Sequence, residues 1–307
     1  MSTNLTAKRR AATRGQRRHQ NRWALFFLAP WLLGFVAFTA GPMLMSLYLA
    51  FTNYDLLTAP TWTGWDNFIH MFADDPLFRA SLRVTAIYVA VGTPLSVAFA
   101  LAVAVLLNRG LRGLDFYRSA IYLPSLFGGS VAIAVLWRKV FNGDGMVNQI
   151  LALFGVQGPS WISDPHYALG TLIVLEIWQF GAPMVIFLAG LRQIPTEYYE
   201  AAAVDGASKG RQFWSITIPM LSPIIFFNLT LQLIRSFQAF APAFIISSGS
   251  GGPVNSTLFY SLYLYQEGFV NFNMGYAAAM AWMLVVLAGS VVAVNFFAAK
   301  FWVHYGE

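Results

Sequence analysis

The chain has 307 residues, 57% of them hydrophobic and 10% charged, with no cysteine, four histidines and a formal net charge of +6. Soluble domains carry roughly 25% charged and 45–50% apolar residues, so this balance is that of a membrane protein. The missing cysteines exclude disulfides, thiol catalysis and cysteine metal sites, and four scattered histidines leave little for a metal centre.

The positive charge is not spread along the chain. Seven of the 19 basic residues, Lys8, Arg9, Arg10, Arg14, Arg17, Arg18 and Arg22, precede the first apolar run. Residues 1–22 therefore read as a basic cytoplasmic tail that fixes topology, not as a nucleic-acid arm, and no nucleic-acid partner is expected. A basic start before apolar sequence also describes a secretory signal peptide. Residues 23–50 are too long for a signal core and further spans follow, so a retained anchor is favoured.

A spanning helix needs about 20 largely apolar residues. Six segments satisfy this, at 23–50, 83–108, 117–138, 168–190, 219–244 and 273–299. Pro30, Gly41-Pro42, Gly92, Pro94, Gly128-Gly129, Gly181 and Pro183 fall inside them and predict bent helices, tolerated where neighbouring helices satisfy the freed backbone groups. With the amino terminus in the cytoplasm, 14 basic residues fall on the inner side and four, Arg79, Arg83, Arg138 and Lys139, on the outer side. That asymmetry supports both termini being cytoplasmic. The outer loops hold Trp62, Trp65 and Trp161, expected to anchor the protein at the lipid headgroups. Gly249, Gly251, Gly252 and Pro253 form a turn-rich outer stretch without the Lys and Ser/Thr of a phosphate loop.

Between the fourth and fifth spans lies a polar interruption. Pro195 and Thr196 precede helix-compatible residues, with Thr196 a candidate cap and Glu197 and Glu200 near the positive end of the helix dipole. Ala201, Ala202, Ala203 and Ala207 favour helix and leave little bulk, and Gly206 permits a sharp turn. Phe213, Trp214, Ile216 and Ile218 suit a return along the membrane surface before Pro219 opens the next span. A short interfacial connector and a docking element for a soluble partner both fit these residues.

Glu200-Ala201-Ala202, Gly206, Ile216, Ile218 and Pro219 at these spacings resemble the EAA signature of permease subunits in bacterial ABC importers, with isoleucine at 218 where the family usually has leucine. Phe51-Thr52-Asn53-Tyr54-Asp55, Gly64-Trp65-Asp66-Asn67-Phe68, Leu106-Leu107-Asn108-Arg109-Gly110, Tyr117-Arg118 with Leu123-Pro124, Trp137, Gly251-Gly252-Pro253 with Thr257, Glu267-Gly268-Phe269 and Met274-Gly275-Tyr276-Ala277 extend the likeness to the carbohydrate-type permeases, the binding-protein-dependent inner membrane components.

The resemblance implies an all-α polytopic protein of the bacterial inner membrane, with the six transmembrane helices of the type I importer permease fold. It implies a permease domain over 23–301, a coupling segment at 195–218 within it, and a short cytoplasmic terminus at 302–307. Expected partners are a second permease subunit in a heterodimer, two ATPase subunits, an extracytoplasmic binding protein and membrane lipid. The chain is not expected to be an enzyme or to hold a cofactor; ATP and magnesium would belong to the ATPase subunits. Glu200, Ala201, Ala202, Asp205 and Gly206 would couple the permease to its ATPase.

The cargo is less defined. Asn228, Gln232 and Arg235 share one face of span five, and Glu176 and Gln179 one face of span four, with Trp178 and Phe180 beside them. Glu176 and Arg235 fall at a similar depth, which allows either a structural ion pair or a substrate path in which amides meet sugar hydroxyls and aromatics meet a ring face. A sugar or oligosaccharide is the expected cargo. A glycerol phosphate or another anionic carbohydrate derivative is the alternative, and a proton-coupled secondary carrier using Glu176 is a further one.

Overall fold

The computed structural model describes residues 27–108, 114–127 and 130–304. The basic tail, residues 23–26 of the first span, Arg109, Arg112, Gly128-Gly129 and residues 305–307 lie outside these, as does the side chain of Arg118.

Four helices are long and apolar enough to cross a membrane unbroken: α1 (Phe27–Leu49), α3 (Pro76–Leu107), α10 (Lys209–Phe237) and α13 (Met274–Trp302). Two pairs of shorter helices, α4 (Leu114–Leu126) with α5 (Val131–Val140), and α7 (Pro165–Trp178) with α8 (Gly181–Leu191), pass the same test of length and hydropathy only together, and bring the number of spans to six if each bent pair is one. The second pair bends by 41° at Gln179–Phe180. Short helices complete the chain: α2 (Asp66–Ala73), α6 (Met146–Leu153), α9 (Thr196–Val204), α11 (Ala241–Ile246) and α12 (Tyr260–Tyr265). A small antiparallel hairpin, β1 (Thr52–Asn53) and β2 (Thr61–Trp62), pairs Thr52 with Trp62 and Asn53 with Thr61.

The predicted span boundaries shift where caps and prolines act. The second and fourth spans begin earlier than expected because an Asp-Pro pair starts each. Asp75 Oδ1 accepts from the amides of Leu77 and Phe78 at 2.9 Å, and Asp164 accepts from the amide of His166 at 2.9 Å. Proline follows each cap, where its missing N–H costs nothing.

Prolines inside the long helices do not break them. Turns of π-helix at Val36–Ala40, Tyr88–Gly92 and Phe213–Thr217 each end two residues before Pro42, Pro94 and Pro219. A proline ring collides with the carbonyl four residues earlier. In all three cases that carbonyl lies within the widened turn, so the helix continues. For this reason the fifth span starts at Lys209, and Phe213, Trp214 and Ile216 belong to it rather than to a separate surface segment. It also ends earlier than predicted, at Phe237, and α11 follows as a distinct helix.

The centre of the bundle is α3. Its buried stripe contains Ser81, Thr85, Gly92, Thr93, Ser96, Ala100 and Ala104. Small residues let helices approach closely in lipid, where burial of apolar surface alone gives no preference for a neighbouring helix over a lipid tail. By contrast, none of the described residues of α1 is buried. Two main apolar clusters form. One gathers Phe78, Leu172, Leu175, Phe259, Tyr260 and Met280; the other gathers Val97, Ala104, Phe187, Leu191, Ile194 and Leu221.

Candidate functional site

Helix α9 carries the predicted coupling residues. Pro195 occupies the cap position, so Thr196 is the first helical residue and makes no cap bond. At the other end Gly206 has φ +77, a left-handed conformation suited to glycine. Its amide reaches the Ala203 carbonyl at 3.0 Å, while the Ala207 amide reaches Ala202 at 2.9 Å. These paired bonds are a Schellman closure that satisfies the last carbonyls and turns the chain.

One side of α9 is held against the bundle. Tyr199 hydrogen-bonds through its hydroxyl to Thr217 Oγ1 at 2.9 Å and packs with Ile216 on the cluster around Leu191 and Ile194. The other side is open: Glu200, Ala201, Ala203, Asp205 and Gly206 are exposed, Ala202 is half-buried and Val204 is 88% exposed. The outcome is a short helix, closed at its end by Gly206, with a bare small-residue face.

A second feature lies at the bend of the fourth span. A cavity of about 580 Å³ is lined by Tyr88, Ser125, Glu176, Gln179, Gln232, Arg235, Ser236, Gln238 and Phe240, among others. Four of the predicted path residues, Glu176, Gln179, Gln232 and Arg235, thus come together there. Three do not. Trp178 packs against Trp137 with ring centroids 5.6 Å apart. Phe180 meets Phe99 edge-on at 4.8 Å, and buried Asn228 donates to the Ile224 carbonyl of its own helix at 3.0 Å.

The polar contacts within the cavity wall are specific. Glu176 is only 5% exposed. Its Oε1 accepts from Gln232 Nε2 at 3.0 Å and from Ser236 Oγ. Ser236 lies 2.9 Å from Thr93 Oγ1; with its own proton directed to Glu176, it accepts from Thr93. Carboxylate, amide and hydroxyls therefore tie α3, α7 and α10 together. Glu176 Oε2 has no hydrogen-bond partner among the described residues and abuts Gly92, where a β-carbon would overlap it. Arg235 forms no ion pair among the described residues and is exposed at the cavity wall. The ion pair considered from the sequence is not formed, because neutral donors on α10 occupy the carboxylate instead.

Sequence reasoning missed Tyr88, Ser125, Ser236, Gln238 and Phe240. Ser236 adjoins Arg235 and falls four residues after Gln232, so the same helical spacing would have included it. Tyr88 begins the π-helical turn next to Pro94, a local irregularity that marks many functional sites. Among the described residues no cluster of three or more His, Asp or Glu is placed to hold a metal.

Comparison with known proteins identifies the arrangement. Residues 78–301 match the family described as the binding-protein-dependent transport system inner membrane component. The probable ABC transporter permease protein YesP of Bacillus subtilis (strain 168) is 50% identical over 289 residues, 94% of either chain. The lactose transport system permease protein LacF of Rhizobium radiobacter is 33% identical over 286 residues, 91% of this chain and 94% of that one. A chain of the bacterial alginate ABC transporter, solved in complex with its alginate pentasaccharide-bound periplasmic protein, superposes with a TM-score of 0.80 at 21% identity, covering 95% of this chain and 99% of that one. That likeness concerns the fold. The chain belongs to the binding-protein-dependent transport system inner membrane component family and is a permease subunit of an ABC importer.

Proposed function

We propose that this chain forms, with a second permease subunit, the alternating-access path for a sugar or oligosaccharide delivered by an extracytoplasmic binding protein. The observation that carries the reading is the cavity at the bend of the fourth span. It combines amide and hydroxyl groups, from Gln179, Gln232, Gln238 and Ser125, with the rings of Tyr88 and Phe240. Few polar groups in an otherwise apolar membrane domain, converging on a volume typical of ligand sites, suit a polyhydroxylated cargo. The carbohydrate names of relatives such as the lactose permease support the same class.

In this reading the open face of α9 docks in a cleft of one of two ATPase subunits, which hold ATP and magnesium. Glu200 fixes the helix near its start, Ala201 and Ala202 permit close approach, and Asp205 and Gly206 close its end. The basic tail keeps the amino terminus, α9 and the carboxyl terminus in the cytoplasm of a bacterial cell.

Reconstitution of the complete complex tests the assignment. Gln232→Ala should lower ATP-driven uptake at least several-fold while the binding protein keeps its affinity for cargo. Unchanged uptake would remove Gln232 from the path, and uptake without ATP or partner subunits would favour a secondary carrier.

A further inference from the structure

The segment between α5 and α7 carries a surface that the cavity does not use. Helix α6 contains no charged residue. Met146, Ile150, Leu153 and Phe154 follow one another at spacings of four, three and one, so they fall on one side of it. All four are exposed, Leu153 by 83% and Phe154 by 78%.

The opposite side fixes the helix in place. Asn148 donates to the carbonyls of Gly143 at 2.8 Å and Pro159 at 3.0 Å, and accepts from Trp161 Nε1 at 2.6 Å. Gly145 is buried, and a β-carbon there would overlap the carbonyls of Lys139 and Val140, so α6 starts directly against the end of α5. We propose that the apolar side of α6 lies in the extracytoplasmic leaflet of the bilayer, at the boundary between headgroups and acyl chains, and holds the outer ends of α5 and α7 at that depth.

The neighbouring surfaces select lipid as the occupant. The apolar side continues the exposed surface of α5, where Val131, Val135 and Leu136 are also uncovered. Such surface needs no protein partner within a bilayer, because lipid tails are equally apolar. Beside α6, Phe141, Trp161, Tyr167, Gly170 and Val174 border a groove of about 220 Å³. Its polar side chains are turned to local partners: Thr171 Oγ1 donates to the Tyr167 carbonyl at 3.1 Å, and His166 Nδ1 lies 3.0 Å from Asp164 Oδ1. Rings and aliphatic surface remain, which suit an acyl chain at the level of an aromatic belt. Lys139, exposed in the last turn of α5, supplies a cation for a lipid phosphate. A soluble binding protein that docks and leaves would instead be met by a polar rim and by charges that steer encounter, and α6 has no charge to offer.

The test uses the assembled complex with its ATPase subunits in proteoliposomes, and exploits the absence of cysteine from this chain. Ile150→Cys and Leu153→Cys report the apolar side, and Ala152→Cys, exposed on the other side, is the control. Each is spin-labelled with the partner subunits free of reactive thiols, and access of oxygen is compared with access of a water-soluble nickel chelate. Labels at 150 and 153 should favour oxygen, at a depth of about 5–10 Å into the boundary, while the label at 152 favours the chelate. Adding loaded binding protein should change neither. In the unmodified complex, phosphatidylethanolamine with a diazirine on its acyl chain should cross-link between Met146 and Val156.

Equal chelate access at all three positions places the apolar side in water and overturns the proposal. Shielding of 150 and 153 from both reagents would put it against the second permease subunit, and shielding that appears only with loaded binding protein would make it a docking surface. Either result overturns the lipid assignment, as does a lack of lipid cross-links in this segment. ATP hydrolysis stimulated by loaded binding protein, recorded on the same vesicles, reports on the importer reading separately.

Discussion

Replacing Gly92 with alanine tests whether the buried carboxylate organises the bundle. The new β-carbon would overlap Glu176 Oε2, so either α3 must move from α7 or the carboxylate must leave its place. Overpacking of this kind costs roughly 1–3 kcal/mol. Displacing the carboxylate instead strains its bonds from Gln232 and Ser236, and a hydrogen bond to a charged group contributes about 1.5–3 kcal/mol. The lower-cost route governs, so Gly92→Ala should destabilise the complex by about 2 kcal/mol. Thermal unfolding of the purified complex in detergent gives the direction, and denaturant titration gives the magnitude. Glu176→Ala removes the obstructing atom; in a double-mutant cycle the effect of Gly92→Ala should then shrink by about 1 kcal/mol or more. Strictly additive effects would show that Gly92 and Glu176 do not oppose each other, and the proposed arrangement of the cavity wall would fail.

Gly206→Pro cannot keep the positive φ and forfeits the amide bonded to Ala203, so it should leave membrane insertion intact and uncouple ATP hydrolysis from uptake. An acidic residue at Ala202 should act similarly, and normal stimulated uptake in both variants would count against the coupling role of α9. Asp75 is buried, which raises its pKa. Bonds from Tyr276 at 2.5 Å, the amides of Phe78 and Leu77, and Tyr263 at 2.7 Å outweigh this and hold it below the ordinary carboxylate value. Its folded pKa is the lower one, so its contribution is complete above the ordinary value near 3.8 and is lost as pH falls through the folded value. Asp75→Asn should therefore flatten the loss of stability below about pH 4 in acid-unfolding curves, and an unchanged slope would refute this.

Four unbroken spans were legible because hydropathy and length dominate in lipid, and the two bent pairs complete the expected six if each is one span. Their ends were less so. Asp75-Pro76 and Asp164-Pro165 are sequence signals for helix starts, but they lie in polar stretches that a hydropathy reading discards. Pro42 and Pro94 predicted bends and Pro219 a span start, whereas π-helical turns absorb each within a continuous helix. That choice depends on packing with neighbours. Spacing along one helix brought Gln232 and Arg235 together, and it equally implicated Asn228, which turned out to bond its own backbone. Whether Glu176 meets Arg235 or Gln232 and Ser236 depends on the relative rotation of α7 and α10, which no single-helix pattern encodes. Gly206 was the clearest case, because the need for a left-handed turn after a run of alanines is local.

Helix α10 joins the two candidate sites physically. It runs without a break from Lys209, beside α9, to Phe237, at the cavity, a length of roughly 43 Å at 1.5 Å per residue. The lower part of this rod is fixed to α9 through Thr217 and Tyr199, and its upper part presents Gln232 and Ser236 to Glu176. A displacement of α9 can thus reach the cavity as motion of one helix relative to α3 and α7. Tyr199→Phe removes only the hydroxyl that ties α9 to this rod and leaves its apolar contacts. Loss of one such hydrogen bond costs about 1 kcal/mol, too little to unfold the subunit but enough to loosen the connection. ATP hydrolysis should persist while sugar taken up per ATP falls, and Thr217→Val should reproduce the effect without adding to it in the double variant. An unchanged transport-to-hydrolysis ratio in all three would mean that the force passes through the packing of Ile216 and Leu191 rather than through this bond.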